Sequence, residues 1–230
     1  MTTSLIITLL RPTSALVLAM VLASPFIAWS SKKPDPSDKK GQLLFETCKA
    51  CHGPHGEGND SIQVPAIAGM PEWYLISTLK KFKHGIRGAH PDDRTGLQMR
   101  PMARQLIEEA NLLAVAKTVA HLPKTKVKHL LHGDAVKGKA GYMLCQACHG
   151  AKGEGNVAMK APPLNQLPDW YIVAQLEKFK AGIRGVHPKD IEGKQMRPMA
   201  MALANKQVMT DIASYIATLG ASNTVSPSHH

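Results

Sequence analysis

The chain has 230 residues, of which 44% are hydrophobic and 5% aromatic, and its formal net charge is +11. This length allows one large domain or two of ordinary size. The scarcity of aromatic residues excludes a core built mainly from Phe, Tyr and Trp, so the core is filled by Ala, Leu and Met or by a bulky bound group. The positive charge favours acidic partner surfaces, nucleic acid or anionic membranes and says nothing about the fold.

The first 30 residues are typical of an export signal. Arg11 precedes an uncharged run that ends in small residues, and cleavage is expected near residues 28–31. The alternative is an uncleaved anchor, because residues 13–30 form a stretch of 18 uncharged residues, the lower limit for a membrane-spanning helix. In both cases the rest of the chain faces the far side of a membrane.

A Cys-x-x-Cys-His motif occurs twice. Its residues are Cys48, Cys51 and His52 in the first copy and Cys145, Cys148 and His149 in the second. A Cys-x-x-Cys pair alone can be a redox dithiol, half of a zinc site or a disulfide. None of these requires the histidine that directly follows, and no strand-like run precedes either copy, as a thioredoxin-like dithiol would need. In c-type haem attachment, the thiols form thioethers with the haem vinyl groups and the imidazole binds the iron. The motif therefore predicts two covalently bound haem c groups.

The sequence around these motifs is duplicated. Shifted by 97 residues, residues 41–122 (the first repeat) align with residues 138–219 (the second repeat) without a gap. The duplication predicts two domains of like fold joined by a lysine-rich linker. The expected boundaries are residues 1–30 for the signal or anchor, 38–122 and 138–220 for the domains, 123–137 for the linker and 221–230 for a tail.

Each repeat has apolar residues at helical spacing and no convincing strand. The stripes of the first repeat are Trp73, Ile76, Leu79 and Phe82, then Leu112, Val115, Ala116 and Val119. Those of the second repeat are Trp170, Val173, Leu176 and Phe179, then Met209, Ile212, Ala213 and Ile216. We therefore predict an all-α fold of two tandem small helical domains, each surrounding a covalently bound haem.

An iron bound by one histidine has a sixth position, and its ligand should recur at the same offset in both repeats. Apart from the motif histidines, the recurring His and Met pairs are His90/His187, Met99/Met196 and Met102/Met199. A methionine with a histidine is the usual c-type ligand pair and raises the reduction potential. The methionines lie beside a proline in a segment expected to be a loop before the last helix, which favours ligation over core filling. His90 lies in a loop, where a surface or propionate-facing role is equally natural.

The chain combines two Cys-x-x-Cys-His units, an export signal, a WY…L…F…G.R helix and a Met seven residues before a Leu. With these features, residues 41–219 resemble the dihaem cytochrome c4 family. In that family the distal methionine lies seven residues before the leucine that opens the last helix. The resemblance therefore implies Met99 and Met196 as distal ligands, with Met102 and Met199 as the alternatives. The chain departs from the family in its unusually similar repeats and in fewer acidic residues along the last helix.

The resemblance implies an electron-transfer protein of the periplasm, not an enzyme. It would pass single electrons from a cytochrome bc-type complex or a dehydrogenase to a terminal oxidase or reductase, and its partners would be redox proteins. The resemblance also implies that the two domains pack with their haem propionates facing each other. The candidates for the haem edge and propionates are Trp73, Tyr74, Arg87, Trp170, Tyr171 and Arg184, whose alternative roles are helix packing and a solvated surface.

Two other functions remain alternatives. One is a membrane-tethered cytochrome subunit of a respiratory complex or dehydrogenase, held by an uncleaved N-terminus. The other is a dihaem redox enzyme in which one haem is open, although the chain is short for a dihaem peroxidase and its two sites are nearly alike. A nucleic-acid partner is opposed by export and by the lack of a basic stripe with interleaved aromatic residues. Association with a membrane would be peripheral or through the anchor.

Overall fold

A computed structural model describes residues 36–221, with side chains for residues 39–220. The predicted signal or anchor at residues 1–30 and residues 222–230 of the predicted tail lie outside the described residues. The helices of the described part are α1 (Pro36–His52), α2 (Glu72–Lys83), α3 (Arg94–Gln105), α4 (Glu109–His121), α5 (Ala135–His149), α6 (Asp169–Lys180), α7 (Ile191–Met201) and α8 (Lys206–Ala221), with a 3-10 turn at Asp60–Ile62.

The predicted all-α fold is confirmed. Isolated bridges join Asn59 to Val64 and Asn156 to Ala161 at equivalent places in the two repeats, and neither extends into a strand within residues 36–221. In that same part of the chain, none of the helices combines the length and apolar character needed to cross a bilayer.

The two repeats share one packing pattern. In the first repeat α1 packs against α4 and α2 contacts both α3 and α4; in the second, α5 packs against α8 and α6 contacts both α7 and α8. The predicted stripes of the last helix of each repeat are buried in the core, namely Leu112, Val115, Ala116, Val119, Met209, Ile212, Ala213 and Ile216. A side chain at Gly41 or Gly138 would overlap the backbone of α4 or α8, respectively, so a glycine permits each close helix crossing.

The segment that carries the candidate methionines is helical, so the prediction of a loop was wrong. Met99 and Met102 lie in α3, and Pro101 is inside that helix. The carboxylate of Asp93 accepts a hydrogen bond from the Gly96 N–H at 3.1 Å, which caps the first turn. Glycine and proline disfavour a helix in isolation, but here the cap and the packing of α3 on α2 outweigh that local preference.

The second repeat begins its first helix early. Asp134 caps α5 by accepting hydrogen bonds from the backbone N–H groups of Val136 at 3.0 Å and Lys137 at 3.1 Å. Consequently α5 starts at Ala135, inside the segment of residues 123–137 that the sequence assigned to the linker.

Candidate functional site

Each Cys-x-x-Cys-His motif forms the C-terminal end of a helix, α1 in the first repeat and α5 in the second. The four thiols are not paired in disulfides. Burial and the neighbouring Cys51 raise the pKa of the Cys48 thiol, and burial and Cys148 raise that of Cys145 to about 11. Because the thiolate is the reactive form of a redox dithiol, these pKa values argue against dithiol chemistry at neutral pH.

The motif histidines are held in the same way in both repeats. His52 Nδ1 lies 2.9 Å from the carbonyl oxygen of Pro65, and His149 Nδ1 lies 2.8 Å from that of Pro162. A carbonyl oxygen only accepts, so Nδ1–H donates and the lone pair of Nε2 is left for another partner. Burial lowers the pKa of both imidazoles, which favours their neutral form. A neutral imidazole whose other ring nitrogen donates to a carbonyl is the usual arrangement of a metal-binding histidine.

The pairs proposed for the sixth position differ in their surroundings. Met99 and Met102 are both half-buried, whereas in the second repeat Met196 is half-buried and Met199 is 37% exposed. The His90 ring accepts a hydrogen bond at Nδ1 from the Asp92 N–H at 3.2 Å, and His187 repeats this contact. His90 and His187 therefore already serve local turns.

Half-buried arginines follow the candidate methionines in both repeats. Arg100 comes directly after Met99, and Arg197 occupies the same position in the second repeat. The Nε atoms of both arginines are buried without a hydrogen-bond partner. A buried guanidinium N–H without an acceptor is costly, and a haem propionate is an acceptor of suitable charge. The side chains present therefore fit a haem with carboxylate groups near α3 and α7.

A second cluster of cationic side chains lies where the two repeats meet. The Arg87 guanidinium donates to Tyr171 Oη at 2.8 Å and to Gln175 Oε1 at 3.0 Å, and Arg184 donates to the same Gln175 oxygen at 2.9 Å. Burial and the charge of Arg87 lower the pKa of Arg184, which nevertheless remains a cation because arginine is not deprotonated in proteins. A buried and a half-buried guanidinium group that share a neutral acceptor favour an anionic group beside them.

The contact between the repeats is reciprocal. Lys81 of α2 pairs with Asp190 of the second repeat at 2.6 Å, and Lys178 of α6 pairs with Asp93 of the first repeat at 2.6 Å. The two lysines, and the two aspartates, are each separated by the repeat offset of 97 residues. Each repeat therefore presents the same pair of charges to the other, as in a two-fold symmetric dimer.

The symmetry fails at one aromatic position. Trp170 Nε1 donates to Asp60 Oδ1 across the contact at 2.8 Å, whereas the buried Trp73 Nε1 has no partner. The position equivalent to Asp60 is Val157, which has no side-chain acceptor. Of the aromatic residues predicted for the haem edge, Trp170 and Tyr171 thus contact the first repeat, at Asp60 and Arg87 respectively.

Comparison with known proteins identifies the family. The family model described as cytochrome c matches residues 39–123 and 135–220. The chain belongs to the cytochrome c family. The predicted resemblance to cytochrome c4 is confirmed, and as a dihaem, cytochrome c4-like protein the chain binds two covalent haem c groups.

Relatives and solved structures agree with this family. The chain is 29% identical over 185 residues to cytochrome c4 of Azotobacter vinelandii (76% of this chain, 86% of the relative). It is also 29% identical over 188 residues to the thiosulfate dehydrogenase electron acceptor of Stutzerimonas stutzeri strain A1501 (77% and 81%). The structure of reduced cytochrome c4 from Pseudomonas stutzeri matches with a TM-score of 0.59 and 27% identity, covering 78% of this chain and 96% of that chain. Thiosulfate dehydrogenase TsdBA from Marichromatium purpuratum matches with a TM-score of 0.63 and 27% identity, covering 78% of this chain but 40% of that chain.

Sequence reasoning did not identify several residues at the contact between the repeats and beside the candidate methionines. Lys81 and Asp93, like Arg100, recur in the second repeat, and that recurrence was a signal that could have identified them. Gln175 gave no such signal, because its counterpart is Thr78.

Proposed function

We propose that this chain is a periplasmic dihaem cytochrome that transfers single electrons from a cytochrome bc-type complex or a dehydrogenase to a terminal oxidase or reductase. The observation that carries the proposal is the same buried, neutral imidazole at both motifs, with Nδ1–H donated to a carbonyl and Nε2 left to bind iron. When bound, each haem c supplies an iron that gains and loses one electron.

The thiols of each motif would hold one haem by thioether bonds. These are Cys48 and Cys51 for the first haem and Cys145 and Cys148 for the second. Their histidines, His52 and His149, are the proposed proximal ligands. Each imidazole is oriented by its carbonyl partner, so that Nε2 has a fixed direction, and the burial of the ring excludes water from it.

Met99 and Met196 are the proposed distal ligands, with Met102 and Met199 as the alternatives. Met196 is half-buried whereas Met199 is 37% exposed, which supports Met196 in the second repeat and, through the offset, Met99 in the first. If His and Met both bound the iron, it would have no open position for a substrate. This ligand set supports an electron carrier over a dihaem enzyme.

The arginines at the contact between the repeats support electron transfer within the molecule. Arg87 and Arg184 both donate hydrogen bonds to the neutral amide oxygen of Gln175. The propionates of the two haems would be suitable counter-ions for these arginines. In this proposal the guanidinium groups would neutralise the propionates and so hold the carboxylate edges of both haems near the same contact. Electrons could then pass from one repeat to the other.

A narrower function is also supported. One relative is named a thiosulfate dehydrogenase electron acceptor, and the matching TsdBA structure is a thiosulfate dehydrogenase. The dehydrogenase that reduces this cytochrome would then oxidise thiosulfate. Mixing the purified cytochrome with a thiosulfate dehydrogenase and thiosulfate tests this, with reduction of the haem absorption bands as the expected result.

A redox titration of the exported holoprotein tests the general proposal. We expect two haems per chain, two reversible one-electron steps and no spectral change with carbon monoxide or peroxide. Binding of carbon monoxide to one haem of the native protein would contradict the carrier and favour an enzyme. Mass spectrometry of the mature chain distinguishes a soluble carrier from a tethered subunit, since an intact first residue would indicate an anchor.

A further inference from the structure

An exposed apolar strip lies on α5, the helix that ends in the second Cys-x-x-Cys-His motif. The α5 strip consists of Val136, Ala140, Met143, Leu144 and Ala147. These positions recur every three or four residues and therefore share one face of the helix. Val136 is 84% exposed, Met143 61% and Leu144 44%, and both alanines are exposed. Tyr142 and His149, which are buried, point from the opposite face, so the strip faces away from the core of its repeat.

The same face of α1 in the first repeat is mainly polar. At the offset of 97 residues, the counterparts of the strip are Lys39, Leu43, Glu46, Thr47 and Ala50. Glu46 forms an ion pair with Lys49 at 2.5 Å and faces solvent. Because this fold is built with a polar face in the first repeat, the fold itself does not require an apolar face on α5. An exposed apolar surface without a structural role indicates a contact site.

The strip ends beside the proposed attachment point of the second haem. Leu144 directly precedes Cys145, and Ala147 lies between Cys145 and Cys148. Thioether bonds at these cysteines would tie one edge of the haem to this turn of α5. Electron transfer slows steeply as the distance between cofactors grows, so a surface next to a haem edge is well placed for a redox partner.

Lysines surround the strip. Lys137 and Lys139 lie on α5 at its margins, and Lys152 lies in the loop after the motif; all three are exposed. Two carboxylates lie near these lysines: Asp134 pairs with Lys137 at 3.3 Å, and Glu154 accepts a hydrogen bond from the Lys152 N–H at 2.8 Å, so the lysines outnumber the carboxylates by one. An apolar centre with a polar rim is the usual anatomy of a protein interface, and a basic rim requires an acidic rim opposite. A second copy bound through a two-fold axis would bring the same lysines together, which opposes self-association.

We propose that the α5 strip is the docking surface for a redox protein whose own contact face has an apolar centre and an acidic rim. Electrons then enter or leave the molecule through the second haem, and the first haem exchanges electrons with the second. The proposal rests on the electron-transfer function proposed above and adds the surface and the chemistry of the partner.

The test uses plastocyanin, a blue-copper protein whose surface has an apolar patch and acidic patches, as the probe. In stopped-flow mixing, one electron passes from the reduced holoprotein to Cu(II), which leaves oxidised cytochrome and Cu(I). We expect Met143→Glu to lower the second-order rate constant at least about tenfold, and Met143→Gln about threefold. The matched control is Leu43→Glu, which makes the same charge change at a 74% exposed site on α1 and should stay within about twofold of wild type.

A binding readout separates docking from electron transfer. Methionine methyl groups labelled with carbon-13 report contact with redox-inactive, zinc-substituted plastocyanin, and the Met143 signal should shift on titration. Equal rates for Met143→Glu and wild type, or an equal loss in Leu43→Glu, would overturn the proposal.

Other occupants and the proposed function are tested in parallel. Wild-type protein is also tested for binding to phosphatidylglycerol vesicles and for dimerisation in sedimentation. If Met143→Glu abolishes either of these but leaves the rate constant with plastocyanin unchanged, the proposal is overturned in favour of a membrane or a second copy. A wild-type protein that reacts with hexacyanoferrate but not with plastocyanin would overturn the docking surface alone. A wild-type protein that reacts with neither would overturn the electron-transfer function as well.

Discussion

Replacing Lys81 by methionine should weaken the contact between the two repeats. Lys81 Nζ lies 2.6 Å from Asp190 Oδ1 and 2.7 Å from Glu192 Oε2, and the side chains of Lys81 and Asp190 are 15% and 2% exposed. Removing one partner of a buried ion pair costs about 3–5 kcal/mol, because a buried charge is left uncompensated. Asp190 would keep its cap bond to the Gly193 N–H at 3.2 Å, so we expect the lower end, about 3 kcal/mol.

Urea unfolding of the holoprotein, followed by circular dichroism, measures this loss. The matched control is Lys80→Met, one residue earlier in α2, where Lys80 pairs with the exposed Glu109 at 2.5 Å; the exposed pair should contribute much less. In the double variant Lys81→Met with Asp190→Asn, the loss should be smaller than the sum of the single losses. If Lys81→Met costs no more than Lys80→Met, the assignment of this lysine to a buried contact between the repeats is refuted.

Three further changes test single contacts. Tyr142→Phe removes the hydrogen bond that Tyr142 Oη donates to the Gly150 carbonyl at 2.7 Å, and it should lower the free energy of unfolding by about 1 kcal/mol in urea titrations. Gly138→Ala should force α5 and α8 apart and lower that free energy by about 1–3 kcal/mol, measured by thermal unfolding. Glu192→Gln should destabilise the protein more at pH 7 than at about pH 3, as shown by urea midpoints at both pH values. Burial raises the pKa of Glu192, but the hydrogen bond and charge of Lys81 outweigh it and the net pKa is lowered. The stabilisation is therefore present above the ordinary glutamate pKa and is lost as the pH falls through the lowered value.

Each of these changes has its own control or contradicting outcome. For Tyr142→Phe, an unchanged free energy of unfolding would contradict the hydrogen bond to the Gly150 carbonyl. Lys139→Ala, on the exposed side of α5, should leave the melting temperature nearly unchanged. An unchanged melting temperature for Gly138→Ala would contradict the close helix crossing, and an equal effect of Glu192→Gln at both pH values would contradict its ionic role.

Local sequence patterns predicted the core well for the last helix of each repeat and less well for α2, where only Phe82 of the predicted stripe is buried. Burial is complete along the stripe of α4, such as Leu112 and Val115, because helical periodicity alone decides which face turns inward. Sequence reasoning failed for α3, where the proline beside the candidate methionines, Pro101, suggested a loop. The stability of that helix comes from the Asp93 cap and from packing on α2, and neither is visible in the propensities of the segment itself.

The candidate site was predictable in its residue types but not in its supporting contacts. The motif fixes Cys48, Cys51 and His52 by their spacing alone. The carbonyl that orients His52 belongs to Pro65, and the intervening loop brings it there partly through the Gly58 N–H, which donates to the His52 carbonyl at 2.8 Å. Contacts between the repeats depend on the packing of two domains, so a pattern within either domain does not reveal them.

Optical and magnetic spectra of three methionine variants test the central claim most directly. Met99→Ala and Met196→Ala should each abolish the methionine-to-iron band of one haem, lower its reduction potential and open that haem to carbon monoxide, because the thioether ligand is lost. Met102→Ala, three residues further along α3, should leave both haems unchanged. If Met102→Ala loses a methionine-to-iron band and Met99→Ala keeps both bands, the proposed ligands are contradicted. If the wild-type protein shows no methionine-to-iron band at all, the account of a His/Met electron carrier is contradicted.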